Sequence, residues 1–182
     1  MSRLSIPAVV DAPAASQPLL AVVHKKLGVV PNLMKLLGQS PAALEGFLSL
    51  SGALDKGVLN AKLRESLALA VAEFNGCDYC LAAHSYIGKN LVKLTDDEIA
   101  QARDGRAADA RNDAALRFAQ RVAAERGRVL DADIAALRAA GFSDAETVEI
   151  VLHVALNVLT NYVNNVAHTD VDFPRVSAHT HA

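Results

Sequence analysis

The chain has 182 residues, 52% of them hydrophobic and 21% charged, with 18 basic against 20 acidic side chains and a net charge of −2. That length is one domain, or one domain with a tail, and the apolar balance, with a mean hydropathy of +0.20, excludes disorder for the bulk of it. Without a basic excess there is no electrostatic footprint for nucleic acid or anionic lipid, and two cysteines are too few for a disulfide-dense secreted scaffold. Aromatic residues are 4% and Trp is absent, so Leu, Val, Ala and Ile must build the core. A chain rich in Ala and Leu favours helices over a sheet.

In chain order, residues 1–15 read as a short N-terminal arm, 16–175 as one helical domain and 176–182 as a polar C-terminal tail. Ser16 is placed to cap a helix through Leu19, Leu20, Val23 and Leu27 that ends at Gly28. Pro31 suits a first helical position ahead of Leu33, Leu36 and Leu37, with Gly38 as the stop. Pro41 opens a helix to about Leu54, with a 3.6-period stripe at Leu44, Phe47, Leu48 and Leu54. Asn60 caps a helix to Phe74, stopped by Asn75-Gly76. Ser66 to Phe74 is apolar on nearly every side except Glu73, which predicts a central helix. The next helix starts near Cys77 and reaches about Leu91, and Thr95 with Glu98 forms a capping box for another. Further helices are expected over roughly 109–126, 131–140 and 144–168, the last capped by Ser143, and no run has a strand period. The fold class is all-α.

The last helix carries a polar ladder, His153, Asn157, Asn161, Asn164, Asn165 and His168, on one face. Two readings fit it: a buried seam, at a subunit interface or a cavity wall, or a hydrated surface. Val148 to Val166 is the most apolar long stretch, but Glu149, His153 and four Asn argue against a membrane span. Met1 to Leu20 is a poor match to a secretory leader, with one Arg and an apolar run broken by Pro7 and Asp11, although Ala12-Pro13-Ala14-Ala15 is faintly cleavage-like. The expectation is a soluble cytoplasmic protein with no membrane or nucleic-acid partner. Arg103, Arg106 and Arg111, interrupted by Asp104 and Asp109, read as a solvated face. His24, His153 and His168 read as structural or interfacial, and His179 and His181 as solvated tail residues.

The chemistry-bearing segment is Glu65-x11-Cys77-Asp78-Tyr79-Cys80-Leu81-Ala82-Ala83-His84. On a helix, Cys77, Cys80 and His84 fall within a stripe of roughly 60°. Cys80 and His84 are i,i+4 neighbours, with Cβ atoms about 5–6 Å apart, so a neutral imidazole can accept the thiol proton. The helix begins at Cys77, where unpaired N–H groups and the dipole favour a thiolate. Asn75-Gly76 turns the chain back, so Glu65, about three turns before Cys77, is expected to approach His84 and orient it. A lone Cys-x-x-Cys is open to redox, zinc-binding or inert core readings. Zinc would have to use Cys77, Cys80, His84 and Glu65, since there is no second knuckle.

The pattern Glu-x11-Cys-x-x-Cys-x3-His resembles the signature of the alkyl hydroperoxidase D-like superfamily, which includes carboxymuconolactone decarboxylase. The run from Asn75 to Cys80, with Ala82-Ala83-His84, Pro31-Asn32 and the Asn157-to-Asn165 helix, is similar to its peroxidase-related branch. The resemblance covers about residues 16–175. It implies paired helices, assembly into trimers or hexamers, no bound cofactor or metal, and reduction of a small hydroperoxide. It also implies Cys80 as the peroxidatic cysteine, Cys77 as the resolving one, and His84 with Glu65 as the proton relay. The reductant would be an external dithiol of lipoyl or thioredoxin type. The best-known hydroperoxidase pattern has a second His where this chain has Tyr79, which predicts an altered relay and weaker activity. The decarboxylases generally lack the cysteine pair, which argues against lactone chemistry. The alternatives are a zinc-binding structural or regulatory protein and a general thiol–disulfide oxidoreductase.

Overall fold

A computed structural model describes residues 2–179; Met1 and residues 180–182, His181 among them, lie outside the described residues. Among those described, nine α-helices and no strand occur: α1 (Gln17–Leu27), α2 (Asn32–Leu37), α3 (Pro41–Leu54), α4 (Ala61–Phe74), α5 (Asp78–Asn90), α6 (Asp96–Arg103), α7 (Ala110–Ala124), α8 (Asp131–Ala139) and α9 (Asp144–Ala167). The caps read from the sequence set most of these limits. Asn60 accepts the Leu63 N–H, and Thr95 with Glu98 and Ser143 with Glu146 close capping boxes at α6 and α9. Two starts differ. Pro31 takes the cap position of α2 rather than its first turn. Ser16 precedes α1, but its buried hydroxyl makes no cap bond. Within the N-terminal arm, Val9–Asp11 forms a short 3-10 turn that alternation and periodicity did not signal.

Helix α4 is central, as its apolar circumference requires. Leu67, Leu69 and Val71 are buried between Ala68, Ala70 and Ala72, whose small side chains let α5, α6, α7 and α9 pack around it. Glu73 is buried here too, and its carboxylate accepts from Arg103 Nε at 2.6 Å and from the His179 backbone N–H at 2.6 Å. Charged pairing of this kind is what makes a buried carboxylate tolerable. It corrects the solvated-face reading of the arginines. Arg103 is committed to Glu73, Arg111 bonds Glu146 and lies 4.0 Å over the Phe142 ring, and only Arg106 of the three is exposed.

The C-terminal segment is docked rather than solvated. Asp172 accepts from the Asn32 N–H and the Tyr79 hydroxyl, both at 2.8 Å. The Ala178 N–H donates to Asp78 at 2.8 Å, and Phe173 stacks edge-on to Tyr79 with ring centroids 5.8 Å apart. His179, half exposed at its ring, is tied down through its backbone.

Helix α9 is amphipathic in the reverse sense. His153, Asn157, Asn161 and Asn164 are buried inside the chain, whereas Val148, Val151, Leu152, Leu159, Tyr162 and Val166 are exposed. At 100° per residue the exposed apolar set spans roughly a third of the circumference, opposite the buried polar set. The subunit-interface reading of the ladder is therefore corrected: these four polar groups are buried within the chain, Asn161 bonding Asn75 and Asn164 bonding Cys80, and only Asn165 and His168 are exposed.

Candidate active site

The turn between α4 and α5 places the cysteines. Gly76 has φ +59°, a left-handed conformation that costs a glycine nothing. With Gly76 there, the Gly76 N–H donates to Glu73 and the Cys77 N–H reaches the Ala72 carbonyl at 2.9 Å, closing a Schellman-type end on α4. Cys77 thus leaves α4 and at once becomes the N-cap of α5, its sulfur accepting the Cys80 N–H at 3.4 Å. The turn is pinned to α9 from both sides. Asn75 Nδ2 donates to Asn161 Oδ1 at 2.8 Å, and Asn165 Nδ2 donates to the Asn75 carbonyl at 2.9 Å.

Both cysteines are unbridged and buried, Cys77 fully and Cys80 to 2% exposure. They differ sharply in acidity. The Cys80 thiol is lowered to about 6, first by the hydrogen bond from Cys77, which outweighs the burial that raises it, then by the His84 charge and the Asn164 and Asn161 amides. Cys77 is pushed far up by its hydrogen bond to Cys80 and by burial. The expectation of a thiolate at Cys77 is therefore reversed. The N-terminus of α5 lies at Cys77, but burial and the contact with Cys80 disfavour charge there, and Cys80 is the more acidic of the two.

Glu65 and His84 meet as the helix-pair geometry requires, with His84 Nδ1 and Glu65 Oε2 2.8 Å apart and both side chains about one-fifth exposed. Burial lowers the imidazole pKa, but the Glu65 charge and hydrogen bond, with the Cys80 charge, win and hold it above the usual histidine value. With Nδ1 committed to Glu65, Nε2 is the ring nitrogen left for chemistry.

Tyr79 stands outside this relay. Its hydroxyl accepts from the Leu33 N–H at 3.1 Å and donates to Asp172, and burial drives its pKa up. It is a structural peg joining α5 to α2 and the C-terminal segment. The zinc alternative lacks a ligand cluster: among the described residues, no three or more His, Cys, Asp or Glu side chains are arranged to hold a metal ion. Cys77 is spent on Cys80, and His84 on Glu65.

Asn164 is the residue whose part the sequence left open. Its Nδ2 donates to Cys80 Sγ at 3.2 Å, while its Oδ1 has no protein partner. A cavity of about 380 Å³ opens between the start of α5 and the end of α9, lined by Gly76, Tyr79, Asn164, His168 and Thr169 among others. The ladder marked α9 as unusual, and the cavity-wall alternative holds at Asn164. Nothing local in the sequence tied that amide to a sulfur 84 positions earlier. His153 is buried with Nε2 unpaired, its pKa lowered by burial and by Arg64.

The fold and site define an all-helical protein built around a buried, asymmetric dithiol backed by a histidine–carboxylate pair. Residues 41–125, which include all four motif residues, match the carboxymuconolactone decarboxylase family. Over 94% of the chain, the structure is similar to an uncharacterized peroxidase-related protein with an alkylhydroperoxidase AhpD core from Ralstonia eutropha JMP134. The TM-score is 0.83, with 29% identity and 92% of that chain covered. An uncharacterized peroxidase-related protein from Silicibacter sp. TM1040 is similar over 93% of this chain and 91% of its own, at 25% identity and a TM-score of 0.81. The debrominase Bmp8 shares the fold at 20% identity and a TM-score of 0.76, over 94% of this chain and 91% of its own. No curated protein matches significantly. The family match is thus carried by residues 41–125, and the two peroxidase-related structures share the fold around that segment. No helix among the described residues is long and apolar enough to cross a membrane.

Proposed function

We propose that the protein is a cysteine-based peroxidase that reduces small hydroperoxides at Cys80. The observation that carries this reading is the asymmetry of the dithiol. Cys80 Sγ accepts from Asn164 Nδ2 at 3.2 Å and is made more acidic by Cys77, the His84 charge and the α9 amides, whereas burial and the contact with Cys80 make Cys77 less acidic. Likeness to peroxidase-related structures supports an enzyme of that kind. The debrominase shows that the fold by itself does not select the reaction.

In this reading the Cys80 thiolate attacks the distal oxygen of ROOH and the O–O bond breaks. The sulfur keeps the OH as a sulfenic acid, and the leaving alkoxide takes a proton from the His84 imidazolium. The Cys77 thiol then attacks the sulfenic sulfur, and its proton leaves with the hydroxide as water, forming the Cys77–Cys80 disulfide. Glu65 orients the imidazole and supports its charge. An external dithiol returns two electrons and two protons by exchange. Burial of both sulfurs favours a slim lipoyl-type arm over a folded thioredoxin-type donor, and it disfavours general exchange with protein disulfides. No cofactor enters this scheme. The exposed apolar stripe of α9 is the surface by which copies of the chain associate.

Single-turnover thiol titration with an organic hydroperoxide tests the roles. Cys80→Ser is expected to consume no peroxide. Cys77→Ser is expected to consume about one per subunit and stop, because nothing resolves the sulfenic acid. Stoichiometric zinc with no disulfide formation in the parent protein would overturn the reading.

A further inference from the structure

The buried stripe of α9 holds polar atoms that the scheme above does not use. Asn164 is only 3% exposed, and its amide is split between two tasks: Nδ2 touches Cys80 Sγ at 3.2 Å, and Oδ1 has no protein partner. One turn earlier, Asn161 Oδ1 is held by Asn75, which fixes that amide, and the Asn161 side chain helps lower the Cys80 pKa. An orphaned acceptor therefore sits beside the nucleophile, where an unpaired buried group carries a cost. Asn164 also contributes to the wall of the cavity of about 380 Å³. Thr169, another wall residue, also has an unpartnered hydroxyl.

A hydroperoxide is the complement of this arrangement, with one O–H donor on the oxygen that sulfur attacks and acceptor lone pairs on both oxygens. We propose that Asn164 is a catalytic residue of this site. Its Nδ2–H holds the Cys80 sulfur while its Oδ1 accepts the O–H of a hydroperoxide entering from the cavity. The pairing persists through the reaction: the distal oxygen keeps its hydrogen as the O–O bond breaks, so the bond to Oδ1 passes to the sulfenic O–H. One rigid amide thus fixes the sulfur and the attacked oxygen relative to each other, which is the positioning a displacement at oxygen needs. The inference rests on the peroxidase reading.

The test compares two electrophiles on the same sulfur. Methyl methanethiosulfonate is small, reacts with a thiolate and has no O–H or N–H to donate; a hydroperoxide does. At about pH 8, well above the Cys80 value, the thiolate is formed and Cys77 stays silent as a thiol. The ratio of the hydroperoxide rate constant to the thiosulfonate rate constant is expected to fall roughly tenfold in Asn164→Leu, the worth of one hydrogen bond. In Asn164→Asp, which keeps an acceptor in place, the ratio is expected to stay near the parent value although both rates change. This second variant keeps the test usable if Asn164→Leu fails to fold. Equal loss of both rates in Asn164→Leu, or a collapsed ratio in folded Asn164→Asp, would overturn the inference while leaving the peroxidase reading intact. A parent protein that reacts with the thiosulfonate but not with hydroperoxide would overturn both.

Discussion

Replacing Cys77 with Ala tests the origin of the Cys80 thiolate. Cys77 donates the hydrogen bond that does most to lower the Cys80 pKa to about 6. A hydrogen bond to a charged group contributes ~1.5–3 kcal/mol, equivalent to about one to two pH units. Cys77→Ala should therefore move Cys80 to roughly 7–8. At neutral pH the thiolate fraction would drop from about nine-tenths to between roughly one-tenth and one-half. The rate of modification by a thiosulfonate would fall about two- to tenfold there and converge with the parent above about pH 9. The variant has one cysteine, so ultraviolet thiolate absorbance against pH reports Cys80 alone. Loss of the Cys77 cap removes about 1 kcal/mol from α5, so a helical circular dichroism spectrum is the control. A titration midpoint that stays at about 6 would refute the reasoning and assign the thiolate to His84 and the asparagine amides instead.

The thiolate–imidazolium pair needs Cys80 deprotonated and His84 protonated, so the first-turnover peroxide rate should follow a bell in pH. Its acid limb should lie at about 6 and its alkaline limb above the ordinary histidine value. Glu65 raises His84, so Glu65→Gln should shift the alkaline limb toward acid; a limb that stays in place would remove Glu65 from the relay. Tyr79→Phe leaves the buried Leu33 N–H unpaired and should cost about 1–3 kcal/mol in denaturant unfolding. The first-turnover rate of Tyr79→Phe should be unchanged, and Tyr79→His should not accelerate it. Light scattering should show a particle well above the 19.2 kDa chain, and Leu152→Glu with Tyr162→Glu should dissociate it. A monomeric parent protein at micromolar concentration would refute the role given to the α9 stripe.

Helix order, the caps at Asn60, Thr95 and Ser143, the central α4 and the Glu65–His84 contact were all legible in the amino-acid sequence. Each is a consequence of local periodicity or of one tight turn, where chain spacing alone dictates geometry. The Cys77–Cys80 spacing also follows from the chain itself, through the Asn75-Gly76 reversal. The resemblance pointed to Cys80 as the reactive sulfur, but the dipole argument favoured Cys77, because it took no account of the contacts that make Cys80 the more acidic of the two. That ordering is led by the contact between the two cysteines and completed by the His84 charge and by amides of α9 more than 80 positions away. The same holds for Tyr79, whose hydroxyl is claimed by Leu33 and Asp172, and for Arg103, drawn inward by a buried Glu73. The α9 ladder shows the limit most clearly. Periodicity put its polar groups on one face, but only packing against α4 and α5 determined that the face points inward. A helix pattern records which side chains share a side and carries no information on which side the rest of the chain occupies.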